Sequence, residues 1–245
     1  MNDSMIDVQT PDGTADCYLT RPDDNDAHPG VLFMIDAIGL RARTKEMADR
    51  IAAQGYVVLV PNLFYRAGRA PVWEDVNLAD PDARGAFMAS LRPLMEALTA
   101  EAMTADGGAY LAKLGELTDG KVAITGYCMG GRHGWQIAAS YPDRVAALAG
   151  FHTGQMVTGE ENSPHLRAPD VRATVYWGFA DNDPSMTAEN IATLNAAMDA
   201  AGISYTSEVY PGAMHGYTMS GQGAYNEAAA ERHFEALFDL LARTF

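Results

Sequence analysis

The chain has 245 residues and a formal net charge of −15, with 48% hydrophobic and 20% charged residues. Its length predicts one large α/β domain over residues 1–245, and its composition is that of a soluble globular protein. The acidity argues against nucleic acid or an anionic membrane as a partner. The two cysteines, Cys17 and Cys128, imply no disulfide framework. The N-terminal residues resemble no signal peptide, and no apolar run is long enough to span a membrane, so we expect a cytoplasmic protein.

The first part of the chain predicts a hairpin followed by a strand–helix–strand unit. Residues 5–10 and 15–21 predict two short strands around the turn at Pro11-Asp12-Gly13. The run GVLFMI at 30–35 is continuously apolar, which is typical of a strand buried on both faces. An amphipathic helix over about 44–54 ends at Gly55, and a second buried strand follows at 56–60.

The rest of the chain continues to alternate helices and strands, which predicts a parallel sheet. Residues 62–80 form an irregular segment, either a loop beside a ligand or a packed surface loop. Residues 81–117 have helical periodicity, in two pieces broken near Gly107-Gly108. The further predicted strands are 122–125, 144–150, 171–177 and 203–210, and the further helices end at 140 or cover 188–201 and 223–245.

The most informative stretch is Gly126-Tyr127-Cys128-Met129-Gly130, between a predicted strand and a predicted helix. It has the pattern of a nucleophile elbow, with cysteine where serine usually stands. The two flanking glycines lack a Cβ, which lets the strand and the helix pass close to each other. Such a turn would place the Cys128 sulfur at the sheet edge, facing the first helical N–H groups. The alternative is a glycine-rich turn that carries an inert buried thiol.

An acid and a histidine follow the cysteine in the order expected for this hydrolase architecture, Cys128…Asp181…His215. Each of the three residues comes just after a predicted strand. An imidazole can take the proton of a thiol, and a carboxylate on its other nitrogen fixes the required tautomer. Asp183 competes with Asp181 as the acid. His152 competes with His215 as the base, although we favour a role for His152 in lining the pocket.

From about residue 30 to 216 the chain resembles the dienelactone hydrolase family of the α/β-hydrolase fold. The resemblance implies a mostly parallel, twisted sheet of about eight strands with helices on both faces. It also implies cleavage of cyclic enol-lactones and related esters by a Cys-His-Asp triad without metal or cofactor. The matching motifs are the cysteine elbow, Gly178-x-x-Asp181, the His215 loop, Asp36-x-x-Gly39-Leu40, Gly55-Tyr56 and Pro61-Asn62-Leu63.

The resemblance implies two further roles near the nucleophile. The backbone N–H groups of Met129 and Ala37 would form the oxyanion hole. Family members also carry a glutamate that holds the resting thiol, and the matching residue here is Asp36, one methylene shorter. The alternative for Asp36 is a loop residue whose carboxylate accepts hydrogen bonds from nearby backbone N–H groups.

The substrate of this chain is expected to differ from the family's carboxylated dienelactone. Members that act on it hold the carboxylate with arginines, one of them four residues after the catalytic histidine, where this chain has Met219. Arg84 or Arg92 could supply a cation. We therefore expect a neutral or bulkier lactone or ester. Candidate pocket residues are Ile38 and His152, together with four that are equally candidates for the core, Trp73, Phe151, Tyr217 and Met219.

The sequence thus predicts a cysteine hydrolase for a small lactone or ester, with neither cofactor nor metal, as a monomer or weak homodimer. The alternative is a ligand-binding or non-hydrolytic protein of the same fold. It is motivated by the two departures at Asp36 and Met219.

Overall fold

An eight-stranded mixed sheet forms the centre of the protein. The computed structural model describes residues 1–24, 26–73 and 80–245; residues 74–79, part of the predicted irregular segment, lie outside this description. The sheet order is β1-β2-β4-β3-β5-β6-β7-β8. The pairs β1–β2 and β2–β4 are antiparallel, and the remaining neighbours are parallel. The strands are β1 Asn2–Thr10, β2 Gly13–Arg21, β3 Gly30–Met34, β4 Val57–Pro61, β5 Val122–Tyr127, β6 Val145–Phe151, β7 Thr174–Ala180 and β8 Tyr205–Tyr210. The predicted α/β class with a mostly parallel sheet of about eight strands is confirmed.

Helices cover both faces of this sheet. Tyr127 and Ile124 lie three apart on β5 and so point to opposite faces. Tyr127 contacts His233 of the last helix, whereas Ile124 lies against Gly134 of the helix after the elbow. None of the helices in the described ranges is long and apolar enough to cross a bilayer. The α-helices are α1 Ala42–Ala52, α2 Pro81–Glu96, α3 Ala100–Gly115, α4 Met129–Ser140, α5 Ala188–Ala201 and α6 Glu227–Thr244, with a 3₁₀ helix at Pro164–Asp170.

The central strands owe their position to their continuous apolar sequence. Every residue of β3, β4 and β5 is buried, because helices cover both sides of the sheet there. At the two edges, β1 and β8 instead consist mostly of exposed and partly buried residues. The strand ends that carry the elbow therefore lie in the middle of the sheet, where the backbone is held most firmly.

The break in the 81–117 region lies elsewhere than predicted. Helix α2 ends at Glu96, and α3 begins after Thr99, whose side chain accepts a hydrogen bond from Ala102 N at 3.2 Å. Gly107 and Gly108 lie inside α3, so the predicted break there is wrong. A Cβ at either glycine would collide with a side chain of α4 or its end, Ile137 or Tyr141. The glycines bring two helices together rather than ending one.

Strand β7 also extends further than predicted. It continues past 177 to Ala180, because its last residues pair with β8 as far as the register Ala180↔Tyr210. The loop that carries the acidic residues therefore starts at Asp181, three residues later than the sequence indicated.

We expect Gly107→Ala and Gly85→Ala to change stability in opposite directions. An alanine at 107 forces the branched side chain of Ile137 to move, which should lower the free energy of unfolding by about 1–3 kcal/mol. Among the residues that the structure describes, nothing lies within 4 Å of a Cβ at Gly85, on the exposed surface of α2, so alanine there should raise it by up to about 1 kcal/mol. Urea denaturation followed by circular dichroism measures the free energy of unfolding of both variants. An unchanged value for Gly107→Ala would contradict the packing argument.

Candidate active site

The elbow places Cys128 between β5 and α4 in a strained backbone conformation. Its φ and ψ are 55° and −121°, a region that non-glycine residues seldom occupy. Its N–H donates to Phe151 O at 3.1 Å, and its carbonyl accepts from Gly131 N at 3.2 Å. A Cβ at Gly126 would collide with the Gly130 backbone, which explains why the turn needs glycine there. The half-buried Cys128 lines a cavity at the strand ends.

His215 lies beside Cys128, on the loop that follows β8. Its Nδ1 is 2.6 Å from Oδ2 of Asp183, a carboxylate that is 6% exposed. The other carboxylate oxygen accepts hydrogen bonds from Ser185 N at 2.8 Å and from Ser185 Oγ at 2.7 Å. Both oxygens of Asp183 are therefore bound, which fixes the imidazole and leaves its Nε2 for the cavity that His215 shares with Cys128.

The expected partnership of Asp181 with His215 is corrected by this geometry. The Asp181 carboxylate instead accepts a hydrogen bond from Gly212 N at 2.9 Å, and its own N–H donates to Ala213 O at 2.7 Å. Asp181 thus fastens the end of β7 to the histidine loop. Asn182, with φ of 52°, then turns the chain so that Asp183, the alternative acid, meets His215.

The charges of the pair reinforce each other. Burial lowers the pKa of His215, but the hydrogen bond to Asp183 and the interaction with Cys128 outweigh it and raise that pKa to about 10. Burial raises the pKa of Asp183, but the hydrogen bonds from His215 and Ser185 outweigh it and lower that pKa. At neutral pH the imidazole is therefore protonated. Because its pKa is raised, its stabilisation of the fold is complete below pH 6.5 and is lost as the pH rises through about 10.

The rival histidine, His152, has a different environment. It is fully buried with φ of 40°, and its Nε2 lies 2.8 Å from Thr218 Oγ1. Its ring meets the His215 ring edge-on, with 5.3 Å between centroids. Burial and the charge of His215 lower the pKa of His152 well below its usual value. His152 is therefore a neutral group that packs against His215. Burial likewise lowers the pKa of His133 and of His233 to about 3.

The cavity over Cys128 has a volume of about 530 Å³. It lies between the β3–α1 loop, one face of α2 and the segment after His215. Most of its side chains are apolar, and three of them are methionines, which adapt readily to ligands of different shape. Besides Cys128 and His215, its lining comprises Asp36, Ala37, Ile38, Arg84, Phe87, Met88, Leu91, Met95, His152, Gly216, Met219, Gln222, Gly223 and Ala224.

Three predicted pocket residues line this cavity, and three do not. Ile38, His152 and Met219 lie in its wall. Phe151 instead belongs to the core, 4.8 Å from the His233 ring. Tyr217 is fully buried, and its hydroxyl donates to Gly178 O at 3.0 Å.

Trp73 lies behind the cavity wall. Its ring packs edge-on against Phe87, 5.2 Å between centroids, and its Nε1 donates to Ser90 Oγ at 3.1 Å. The prediction that Trp73 lines the pocket is therefore corrected, because Phe87 stands between them as the lining residue.

The α2 side of the cavity is missing from the sequence interpretation. Phe87, Met88, Leu91 and Met95 recur at the spacing of one helical face, and all four line the cavity. That spacing is visible in the sequence. Nothing in the sequence, however, shows that this face covers Cys128 rather than the core.

Asp36 lies in the cavity wall, but its carboxylate is held by Arg41. Oδ1 and Oδ2 accept from the two guanidinium nitrogens at 2.6 and 2.9 Å, and Oδ1 also accepts from Ile38 N at 3.2 Å. The expected hydrogen bond of Asp36 with the thiol is corrected by this arrangement. Asp36 accepts a backbone hydrogen bond, as in the alternative, and forms a bidentate ion pair in addition.

Over the described ranges, no three or more His, Cys, Asp and Glu side chains are grouped so that they could hold a metal ion. The polar side chains that line the cavity are Cys128, the imidazoles of His152 and His215, the Asp36 carboxylate already paired with Arg41, the Arg84 guanidinium and the Gln222 amide. This arrangement suits nucleophilic attack by sulfur with an imidazole as the proton carrier.

Comparisons with known proteins agree with this fold. A family model described as "Dienelactone hydrolase family" matches residues 15–245. A Yersinia pestis protein named "Putative carboxymethylenebutenolidase" is 28% identical over 91% of this chain and 81% of its own length. The crystal structure of a Klebsiella pneumoniae protein entitled "Putative Dienelactone Hydrolase" has a TM-score of 0.85 at 22% identity, over 98% of both chains. The metagenomic dienelactone hydrolase-like promiscuous phosphotriesterase P91 has a TM-score of 0.78 at 20% identity, over 100% of this chain and 98% of its own.

We expect Asp183→Asn to lower the pKa of His215 well below about 10, because the variant removes the carboxylate that favours the imidazolium. Asp181→Asn, the matched control, should leave that pKa unchanged, since Asp181 binds Gly212 N instead. NMR titration of the histidine side chains, with the His215 signal identified by His215→Gln, measures both. A lowered His215 pKa in the Asp181 variant would reverse the assignment of the two acids.

Proposed function

We propose that this chain, which belongs to the dienelactone hydrolase family, hydrolyses a lactone or carboxylic ester with Cys128 as nucleophile, His215 as the group that transfers protons and Asp183 as the carboxylate that orients His215. The observation that carries the proposal is the 2.6 Å hydrogen bond from His215 to the buried Asp183, with Cys128 in the same cavity. The relative named a carboxymethylenebutenolidase supports the same class of reaction. The fold match to dienelactone hydrolase structures supports the placement of a nucleophile at this strand end.

In the first half of the reaction, His215 holds the proton of the Cys128 thiol, and the thiolate sulfur attacks the substrate carbonyl carbon. The carbonyl oxygen becomes an oxyanion, which accepts hydrogen bonds from the N–H groups of Met129 and Ala37. Met129 is the first residue of α4, so its N–H has no partner within the helix. His215 then donates its proton to the leaving oxygen, the C–O bond breaks, and the acyl group remains on Cys128 as a thioester.

In the second half, His215 takes a proton from a water molecule. The resulting hydroxide attacks the thioester carbonyl, the C–S bond breaks, and the acid leaves while the thiolate and the imidazolium are restored. Asp183 keeps its charge throughout and stabilises the imidazolium. Each oxyanion-hole donor contributes about 3–4 kcal/mol to such a reaction.

The lining of the cavity supports a neutral, apolar substrate. Met219, at the position of the family's arginine, is 2% exposed and apolar, so it offers nothing to a carboxylate. Among the lining residues of the described chain, Arg84 alone has a permanent positive charge, and it lies on the exposed side of α2. The other cation in the lining, the His215 imidazolium, is already paired with Asp183, so a carboxylate buried there would lose its hydration without a free cationic partner among the described lining residues.

We expect Cys128→Ala and His215→Gln to lower ester turnover about 10⁴-fold or more, with Asp183→Asn about 10⁴-fold. Intact mass spectrometry after mixing with p-nitrophenyl butyrate should show a butyryl adduct on the wild type and none on Cys128→Ala. Cys17→Ala is the matched control, because Cys17 is buried in β2, away from the cavity.

Ester cleavage by Cys128→Ala at the wild-type rate would contradict the mechanism. A wild type that forms no adduct and cleaves no ester, yet binds a lactone tightly, would favour the ligand-binding alternative.

We also expect p-nitrophenyl butyrate to be cleaved about 10-fold or more faster, in kcat/KM, than mono-p-nitrophenyl succinate. The two acyl groups are similar in size, and the carboxylate of the second would meet mainly apolar side chains and an imidazolium already paired with Asp183. Arg84→Gln serves as the control. If Arg84 did hold the carboxylate, the wild type would cleave the succinate ester with a kcat/KM equal to that for the butyrate ester. The Arg84→Gln variant would then lose activity on the succinate ester.

A further inference from the structure

The Asp36–Arg41 ion pair closes a short loop of the backbone. Arg41 donates to both oxygens of Asp36, at 2.6 and 2.9 Å, and the same guanidinium donates to Gly39 O at 2.8 Å. Gly39 N donates in turn to Asp36 O at 3.1 Å. Gly39 has φ of 95°, a conformation suited to glycine, so the chain can turn tightly within this loop. Ala37 and Ile38 lie inside a ring of hydrogen bonds.

Both ends of this loop are anchored to rigid elements. At the front end, a Cβ at Gly130 would collide with the carbonyl oxygens of Met34 and Ile35, so the end of β3 lies directly against α4. At the far end, the Arg41 backbone precedes α1, its N–H donating to Thr44 Oγ1 at 3.0 Å. Residues 36–40 lie between these anchors. Within this segment, the Arg41 side chain binds the Asp36 carboxylate and the Gly39 carbonyl.

We propose that Arg41 is a positioning residue that holds the Ala37 N–H in the oxyanion hole before substrate binds. The inference rests on the proposed function. Arg41 itself does not line the cavity, so it acts through Asp36 and the Gly39 carbonyl. The two side chains are 19% and 6% exposed, so the pair is better shielded from water and salt than a surface ion pair.

This role differs from that of a carboxylate that holds the thiol. Both oxygens of Asp36 accept hydrogen bonds from Arg41, whereas His215 is the group that interacts with Cys128, so we assign proton transfer to His215. The guanidinium also compensates the negative charge of Asp36 beside the place where the oxyanion develops. Substituting lysine for Arg41 separates positioning of the loop from compensation of the Asp36 charge, because lysine keeps the charge and loses the planar pair of donors.

Two reactions of the same sulfur distinguish positioning of the oxyanion hole from a general effect on the nucleophile. Acylation by p-nitrophenyl butyrate forms an oxyanion, whereas alkylation by iodoacetamide displaces iodide from a CH₂ group and forms none. We expect Arg41→Met to slow acylation of Cys128 about 10- to 100-fold and to leave alkylation within about twofold. Arg41→Lys should recover only part of the acylation rate.

Arg50→Met is the matched control. Arg50 lies in α1, the helix that Arg41 precedes, and forms a bidentate ion pair with Glu231, at 2.7 and 2.5 Å, on the exposed surface. Its loss should change neither reaction. Thermal melting of each variant shows whether it is folded, and the lysine variant carries the test if the methionine variant does not fold.

Equal slowing of acylation and alkylation in Arg41→Met would overturn the inference, as would full recovery in Arg41→Lys, which would indicate charge compensation alone. Unchanged acylation in both variants, with a normally acylated wild type, would overturn the inference and leave the proposed function intact. A wild type that is not acylated at Cys128 would overturn the proposed function itself.

Discussion

The structure depends above all on the contact between the Gly130 backbone and the carbonyl end of β3. Because Gly130 has no Cβ, helix α4 can start directly against the Met34 and Ile35 carbonyls. This contact fixes the distance between the elbow and the β3–α1 loop, and with it the positions of Cys128 and Ala37. The His215 and Asp183 loops then meet the same edge of the sheet, where parallel strands end together.

The features that could be predicted from the sequence are those that short, contiguous sequence patterns determine. The elbow is a contiguous motif, and the histidine follows the last strand, so Cys128 and His215 are recognisable without the structure. The acid is different. Whether Asp181 or Asp183 meets His215 depends on how far β7 pairs with β8 and on the left-handed conformation of Asn182. The first is a consequence of pairing between distant segments, and the second is a backbone conformation that asparagine permits but does not require, so the strand pattern predicts neither.

The residues that line the cavity were likewise not fully predictable from local sequence patterns. Phe151, Tyr217 and Trp73 were candidates because aromatic residues near strand ends suit either a pocket or a core. Phe151 and Tyr217 lie in the core, where the Tyr217 hydroxyl donates a hydrogen bond to a backbone carbonyl. Trp73 packs against Phe87, which lines the cavity. The apolar face of α2 lines the cavity instead of these aromatic residues, because that helix packs over the strand ends. The sequence of a helical face does not show which part of the protein it covers.

The order of the strands along the chain has a consequence for how the protein becomes active. Cys128 is in place once β5 and α4 have formed, but His215 follows β8, the last strand, at one edge of the sheet. Pairing of such distant segments is slow compared with helix formation. During synthesis and folding, the cysteine therefore does not have the His215 imidazole beside it until the sheet is complete. Chemical reactivity of the thiol thus reports completion of the native topology, and a chain cut short before β8 would keep the elbow without its base.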